Sequence, residues 1–272
     1  MDDCQMTIDG QPFSFEIEGE FFWGKDEVLF EVKNNVIEYT DWLAKGYAVM
    51  NLFTPTEFEG LTQTITAILK RIGADLGVVL PSDFKSEHYH HYFSNPALHQ
   101  QVIQRTRFLT YRDFELDFQD LCNRVAAFIG HPLQLENPLL DEEIVILRIS
   151  RPQTLDINPL HRDGYLEIWA NVLNLWIPLA GCNQQSSLPV LPGSHLTNEK
   201  DVCRSLPKGA KINGLSYHVP GIVGLRDGIE LIRPNPACGQ ALVFTPFLIH
   251  GAAINQNMDQ TRLSLELRFC KK

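Results

Sequence analysis

Apolar and polar positions alternate with period two near both ends of the chain, and helical spacing fills much of the stretch between them. From Pro12 to Val32 the apolar set Phe13, Phe15, Ile17, Val28, Phe30 and Val32 brackets Gly24-Lys25-Asp26, which predicts a β-hairpin. Residues Asn35 to Lys45 predict a short helix ended by Gly46, and Tyr47–Phe53 predicts a strand. Thr54-Pro55-Thr56-Glu57 then opens a helix: Thr54 caps it, Pro55 fits the first turn and Glu57 closes a capping box. Phe58, Leu61, Ile65, Ile68 and Leu69 form its apolar face, to about Ile72. Further helices are expected at Ala97–Arg105 and at Phe114–Ile129, the second stopped by Gly130-His131-Pro132.

From Glu143 onward the pattern turns to strands. Ile144–Ile149, Asn171–Leu179, Ile229–Arg233, Ala241–Thr245, Ile249–Ile254 and Arg262–Phe269 read as β, and Leu188–His195 as a short strand entering a turn. The last alternates strictly, with Leu263, Leu265, Leu267 and Phe269 against Arg262, Ser264, Glu266 and Arg268. Residues Leu196–Gly228 are polar and glycine-rich without periodicity, the mark of a lid or binding loop, with Arg204, Tyr217, His218 and Arg226 as candidate substrate contacts. The fold class implied is mostly β with flanking helices: a jelly roll buttressed by N-terminal helices. With no repeat or linker, residues 1–272 read as one domain, a hairpin and helices over 1–142 and a jelly-roll core over 143–272.

Composition narrows the partners. A net charge of −10 over 272 residues argues against nucleic acid and against an anionic membrane, and leaves a small-molecule substrate. No apolar run reaches spanning length, and Met1-Asp2-Asp3 is acidic where a secretion signal would be basic. The six cysteines are scattered with no CxxC pair, as in a reduced, cytoplasmic enzyme. Oligomeric state is left open.

The chemistry concentrates in Pro159-Leu160-His161-Arg162-Asp163-Gly164-Tyr165. On a strand, His161 and Asp163 project from one face, the geometry of adjacent ligands on one metal. His250, closing the apolar run Ala241–Ile249, is the candidate third ligand of a mononuclear iron(II) site that keeps open positions for cosubstrate and O2. The bland readings are a solvated His-x-Asp turn and a hydrogen-bonded core histidine; their joint occurrence on strand-like segments favours the metal. His88, His90 and His91 form a second histidine cluster with no cysteine partner beside it, and it reads as a surface or pocket-rim segment.

His161-Arg162-Asp163-Gly164, Leu175-Trp176-Ile177-Pro178-Leu179, Leu191-Pro192-Gly193-Ser194-His195, His250-Gly251 and Arg262 together resemble the phytanoyl-CoA dioxygenase family over roughly residues 143 to 270. The chain departs from the family at Gln185-Ser186-Ser187-Leu188, where Asn-Gly is usual before the Pro-Gly-Ser-His turn. The resemblance implies a double-stranded β-helix and an iron(II)- and 2-oxoglutarate-dependent oxygenase, hydroxylating a small metabolite with release of succinate and CO2. It implies His161, Asp163 and His250 as iron ligands and Arg262 as partner of the distal carboxylate of 2-oxoglutarate, an assignment suited to a guanidinium fork. Ser264, which shares a face with Arg262, and Asn174 and Trp176, which share another, are candidates for the same cosubstrate. Arg162, Tyr165 and Arg226 are candidates for the substrate, and Ser194 and His195 for bracing their turn. Halogenating relatives lack the carboxylate; Asp163 keeps it, which favours an oxygenase outcome.

Two other readings remain at this level. One is a cupin-like zinc or manganese hydrolase or isomerase, since the same three ligands hold zinc with an open position for water. The other is a non-catalytic jelly-roll binding module.

Overall fold

Residues 2–30, 36–212 and 214–272 are described by a computed structural model of the chain. Fourteen strands are present among them. The first four are β1 (Asp2–Ile8), β2 (Gln11–Ile17), β3 (Phe21–Trp23) and β4 (Tyr47–Asn51). Then come β5 (Leu133–Gln134), β6 (Ile146–Ser150), β7 (Val172–Ala180), β8 (Val202–Ser205) and β9 (Lys211–Ile212). The last are β10 (Leu215–Ser216), β11 (Ile222–Leu225), β12 (Glu230–Leu231), β13 (Gln240–Phe244) and β14 (Arg262–Lys271).

The strict alternation of β14 builds the centre of the molecule. β14 lies beside β7, with Leu265 opposite Ile177 and Leu267 opposite Leu175, in a six-stranded antiparallel sheet ordered β4-β13-β7-β14-β5, and β6 also pairs with β14. Its outward face, including Leu263, Leu265, Leu267, Phe269, Leu175 and Ile177, is buried under the helices. Those are mainly α1 (Pro55–Asp75), α2 (Tyr89–Tyr92), α3 (Pro96–Thr106) and α4 (Phe118–Ile129). α1 starts as its sequence demands: Thr54 N–H donates to Glu57 Oε2 at 2.7 Å and Glu57 N–H to Thr54 Oγ1 at 3.3 Å. Leu61, Ile65, Ile68, Leu69 and Ile72 of α1 enter the common core, each contributing about 1.5–3 kcal/mol on burial.

The inward face of the same sheet is mixed. Trp176, Leu242 and Phe244 pack with Leu188, Val190, Leu248 and Ala253 in a smaller apolar cluster. Facing this side are three small sheets, ordered β12-β1-β2, β11-β8-β3 and β10-β9, with a core of their own that includes Met6, Ile17, Leu160, Ile222 and Ile249. Isolated bridges join the layers: Leu160 to Ile222, His161 to His250, and Val190 to both Ile232 and His250. The fold is the expected jelly roll with flanking helices.

Several local expectations give way. The N-terminal hairpin is β1–β2, turned at Asp9-Gly10, where Asp9 has φ 50° and Gly10 φ 76°. The expected turn at Gly24-Lys25-Asp26 instead follows β3, which pairs with β8; Val32 lies outside the described residues. Asn35 also lies outside them, and residues 36–46 form successive turns rather than a helix. There the Thr40 hydroxyl donates to the Ile37 carbonyl at 2.8 Å, competing with a helical ladder. The helix expected from Phe114 begins at Phe118, capped by Asp117. Strands are not confined to residues 143–272: β4 sits at one edge of the large sheet, and β1 to β3 supply much of the facing layer. The segment 196–228 is no bare loop either, since its described residues include β8 to β11. Residues 249–254 form bridges and loop, not a regular strand. The six cysteines form no disulfide, and no described helix is long and apolar enough to cross a membrane.

Candidate active site

His161 and Asp163 converge without the regular strand that their spacing implied. His161 makes one antiparallel bridge to His250, and Asp163 then starts a short 3-10 turn, Asp163–Tyr165. The turn is tight because Gly164 lies against the Phe247 ring, where any Cβ would collide. Gly251, with φ 121°, similarly lets the chain pass Pro159 and the His161 ring directly after His250. Ser194 braces the other side, its Oγ accepting from the Ile249 N–H at 2.8 Å. His195 is fully buried with its ring edge-on to Phe30, 4.9 Å between centroids.

The protonation pattern of the two histidines follows from their partners. His161 Nδ1 donates to the Pro159 carbonyl at 2.8 Å, and His250 Nδ1 to the Leu248 carbonyl at 2.9 Å. A carbonyl only accepts, so each Nδ1 carries the proton and each Nε2 presents a lone pair. Asp163 Oδ1 lies 3.3 Å from His161 Nε2 and 4.0 Å from His250 Nε2. Three donor atoms, two imidazole and one carboxylate, thus surround one point within 4.8 Å of one another. All three residues are buried. Burial, then His161, holds His250 down to about 4, so it is neutral at ordinary pH. Burial pushes Asp163 up, but Arg268 and the two histidines outweigh it and hold the carboxyl well below its usual range. This donor set suits a hard-to-borderline divalent ion such as iron(II).

Arg268 was not among the candidate site residues of the sequence. Its side chain is 9% exposed, stacks on Trp169 at 4.6 Å and donates from Nη2 to Asp163 Oδ2 at 2.8 Å. Asp163 is therefore held by one oxygen with the other facing the metal position. Glu266 lies 3.7 Å from Arg268 and 2.9 Å from Arg148, extending the chain of charges along the strand face. The alternation of β14 was the signal for both residues, because Glu266 and Arg268 share a face with Arg262 and Ser264.

A cavity of about 360 Å3 opens beside the three donors and is lined by Arg262, Asn174 and Trp176 among others. Arg262 is 4% exposed, and its nearest polar contact is Nη1 to Ser264 Oγ at 3.3 Å. Arg262 Nε, both amide atoms of Asn174 and Trp176 Nε1 are buried without a hydrogen-bond partner. Leaving one such group unpaired costs about 1–3 kcal/mol, so the cluster is built for a polar guest. A dicarboxylate that chelates a metal with one end and meets Arg262 with the other fits these residues.

The substrate candidates fare differently. Arg162 is wholly buried and turned away from the donors, paired with Glu199 at 2.9 Å and donating to the Ser194 carbonyl at 2.7 Å. Tyr165 donates to Glu199 at 3.3 Å with Arg204 stacked over its ring at 4.4 Å. Arg226 pairs with Asp201 at 2.9 Å and lies over Trp23 at 4.7 Å. None of these three lines the cavity. They serve a buried ion cluster and the outer surface, because the residue between two ligands points into the neighbouring layer. Of the 196–228 contacts, Tyr217 does line the cavity, with its hydroxyl on the Ile157 carbonyl at 2.8 Å; Arg204 and His218 do not. Arg107, Arg148 and the pair Arg151–Asp156 line it as well, and the sequence had not singled them out.

A family model described as phytanoyl-CoA dioxygenase matches residues 42–263. A search of curated proteins finds no match. Among solved structures, AviO1 from Streptomyces viridochromogenes Tue57 is 16% identical, with 91% of this chain and 96% of that chain covered and a TM-score of 0.49. EvdO2 from Micromonospora carbonacea var. aurantiaca, complexed with 2-oxoglutarate, is 16% identical with 93% and 94% covered and a TM-score of 0.46. EctD from S. alaskensis in its apoform is 14% identical with 93% and 85% covered, also at 0.46.

Proposed function

Because the chain belongs to the phytanoyl-CoA dioxygenase family, we propose that it is an iron(II)- and 2-oxoglutarate-dependent dioxygenase that hydroxylates a small-molecule metabolite. The observation that carries this reading is the convergence of His161 Nε2, His250 Nε2 and Asp163 Oδ1 on one point, with the proton of each imidazole fixed on its far nitrogen. Three protein donors leave the remaining positions of a six-coordinate ion open. When bound, iron with 2-oxoglutarate and O2 supplies the oxidising chemistry, with succinate and CO2 released.

The rest is the work of the chain. Arg268 fixes the free oxygen of Asp163, so the carboxylate meets the ion from a set direction. Arg262 offers its fork to the distal carboxylate of the cosubstrate, and Ser264, Asn174 and Trp176 supply the neighbouring polar atoms. Leu188 and Phe244 wall the same cavity with apolar surface and restrict water. A hydrolase gives no reason for so many unpartnered polar atoms around Arg262, and a plain binding module gives none for three donor atoms converging on one point, which favours the oxygenase over both alternatives. We read residues 1–272 as one such domain.

The charges around the cavity also bear on the substrate. Arg268, Arg148 and Arg151 are paired with Asp163, Glu266 and Asp156 respectively. With Arg262 committed to the cosubstrate, Arg107, which lines the cavity, makes no ion pair within 4 Å among the described residues. Partial desolvation and the nearby Arg148 pull its pKa down while Tyr217 and Glu266 pull it up, and its guanidinium at the cavity lining is what an anionic group of the substrate would meet. The substrate in this reading carries a carboxylate or phosphate.

The test is iron content and succinate formation measured together in Asp163→Ala. Both are expected to fall to background, since removing one of three ligands also removes the site's compensating charge. Normal activity with stoichiometric iron in that variant would remove Asp163 from the ligand set and the reading with it.

A further inference from the structure

The fold brings a carboxylate from the far end of the chain to the histidine cluster near residue 90. Asp259 Oδ1 lies 2.9 Å from His90 Nε2 and 3.0 Å from His91 Nε2. These donor atoms all lie within 4.8 Å of one another, and none belongs to the cavity described above. We propose that His90, His91 and Asp259 form a second metal site, for a borderline divalent ion of the zinc type.

The spacing suits such an ion. Metal bonds of about 2.0–2.1 Å in tetrahedral geometry put ligand atoms about 3.3 Å apart, so the carboxylate needs to withdraw from each ring by only a few tenths of an ångström. The far side of His90 is anchored as a metal ligand's should be. Its Nδ1 is 2.8 Å from Thr261 Oγ1, and that oxygen also accepts from the His90 N–H at 3.2 Å. With Nε2 on an ion, Nδ1–H donates to Oγ1; without an ion, the Thr261 hydroxyl turns and donates to Nδ1 while Nε2–H faces Asp259. The same contact thus supports both states and fixes the ring plane in each. Access is open, because the His91 and Asp259 side chains are 51% and 71% exposed. Water completes the coordination.

Position gives the site a consequence. Thr261 N–H donates to the Glu87 carbonyl at 2.8 Å, so the segment bearing His90 and His91 is already fastened to the start of β14, next to Arg262. An ion here ties the two segments together through side chains as well.

The experiment is calorimetric titration of the metal-free full-length chain with zinc chloride alone. The wild type is expected to take two ions. His91→Ala and Asp259→Asn, both at exposed side chains that leave the core untouched, are expected to lose one of them, with affinity at that step lowered at least about tenfold. Asp163→Ala is expected to lose the other ion and keep this one. If the iron-site reading is wrong, the wild type binds a single ion, and Asp259→Asn still abolishes it. Equal stoichiometry and affinity in wild type, His91→Ala and Asp259→Asn would overturn the second site.

Discussion

Arg262 and Arg268 share one strand face yet hold different ends of the site. Arg268 acts through Asp163, so Arg268→Leu is expected to weaken iron binding by about tenfold while the KM for 2-oxoglutarate moves little at saturating iron. An iron titration alongside a cosubstrate titration separates the two effects; a raised KM with unchanged iron affinity would reverse the assignment. In the proposed reading Arg107 faces the substrate. Metabolites bearing a carboxylate or phosphate are expected to raise succinate formation above the substrate-free rate, and Arg107→Ala to lose that increment alone. Stimulation only by uncharged metabolites would remove the anion. His161, Asp163 and His250, read from residue type and spacing, and Arg262, Asn174 and Trp176, whose cosubstrate role came with the family resemblance, all border one cavity. Arg162 was misread because its partner, Glu199, is distant in sequence yet 2.9 Å away in space. Arg107 stayed hidden for a related reason, since nothing near it in sequence says that it reaches a cavity.

Among the elements, long periodic stretches were readable and short connections were not. β7, β14 and the helix from Pro55 follow from alternation and capping, and each appears within a few residues of its expected bounds. The turns at 36–46 and the 3-10 turn at Asp163 depend on single side-chain hydrogen bonds and on close approach, which periodicity does not encode. The Asp163 turn makes a sharp test. Gly164→Ala drives a methyl group into the buried Phe247 ring, and overpacking of this kind costs about 1–3 kcal/mol. Trimming the ring in Gly164→Ala/Phe247→Leu is expected to recover part of that loss in urea unfolding. Strictly additive losses would mean that the ring does not set the path of the turn.

For the whole molecule, pairing between the two ends of the chain was beyond sequence reading. β1 pairs with β12 and β3 with β8 across long separations, and only the assembled layers show why a hairpin at the N-terminus belongs to the barrel. The assembled core also sets acid sensitivity. His195 and His250 are held from 6.5 down to about 4, first by burial, so both stay neutral when folded and take up protons when unfolded. Stability of the metal-free protein is full above pH 6.5 and falls as pH drops from there toward 4, by up to about 3 kcal/mol for each histidine. His195→Leu is expected to flatten that fall in urea unfolding at successive pH values; an unchanged slope would exclude His195 as a cause. The central claim, an oxygenase whose cosubstrate is clamped between the three donors and Arg262, is tested most directly by succinate formation against 2-oxoglutarate concentration in wild type, Arg262→Lys and Arg262→Ala, with iron content followed in parallel. Arg262→Lys keeps the charge but loses the fork, so mainly a raised KM is expected. Arg262→Ala is expected to lose nearly all turnover while His161, Asp163 and His250 still hold iron. An unchanged KM for 2-oxoglutarate in Arg262→Ala would contradict the account.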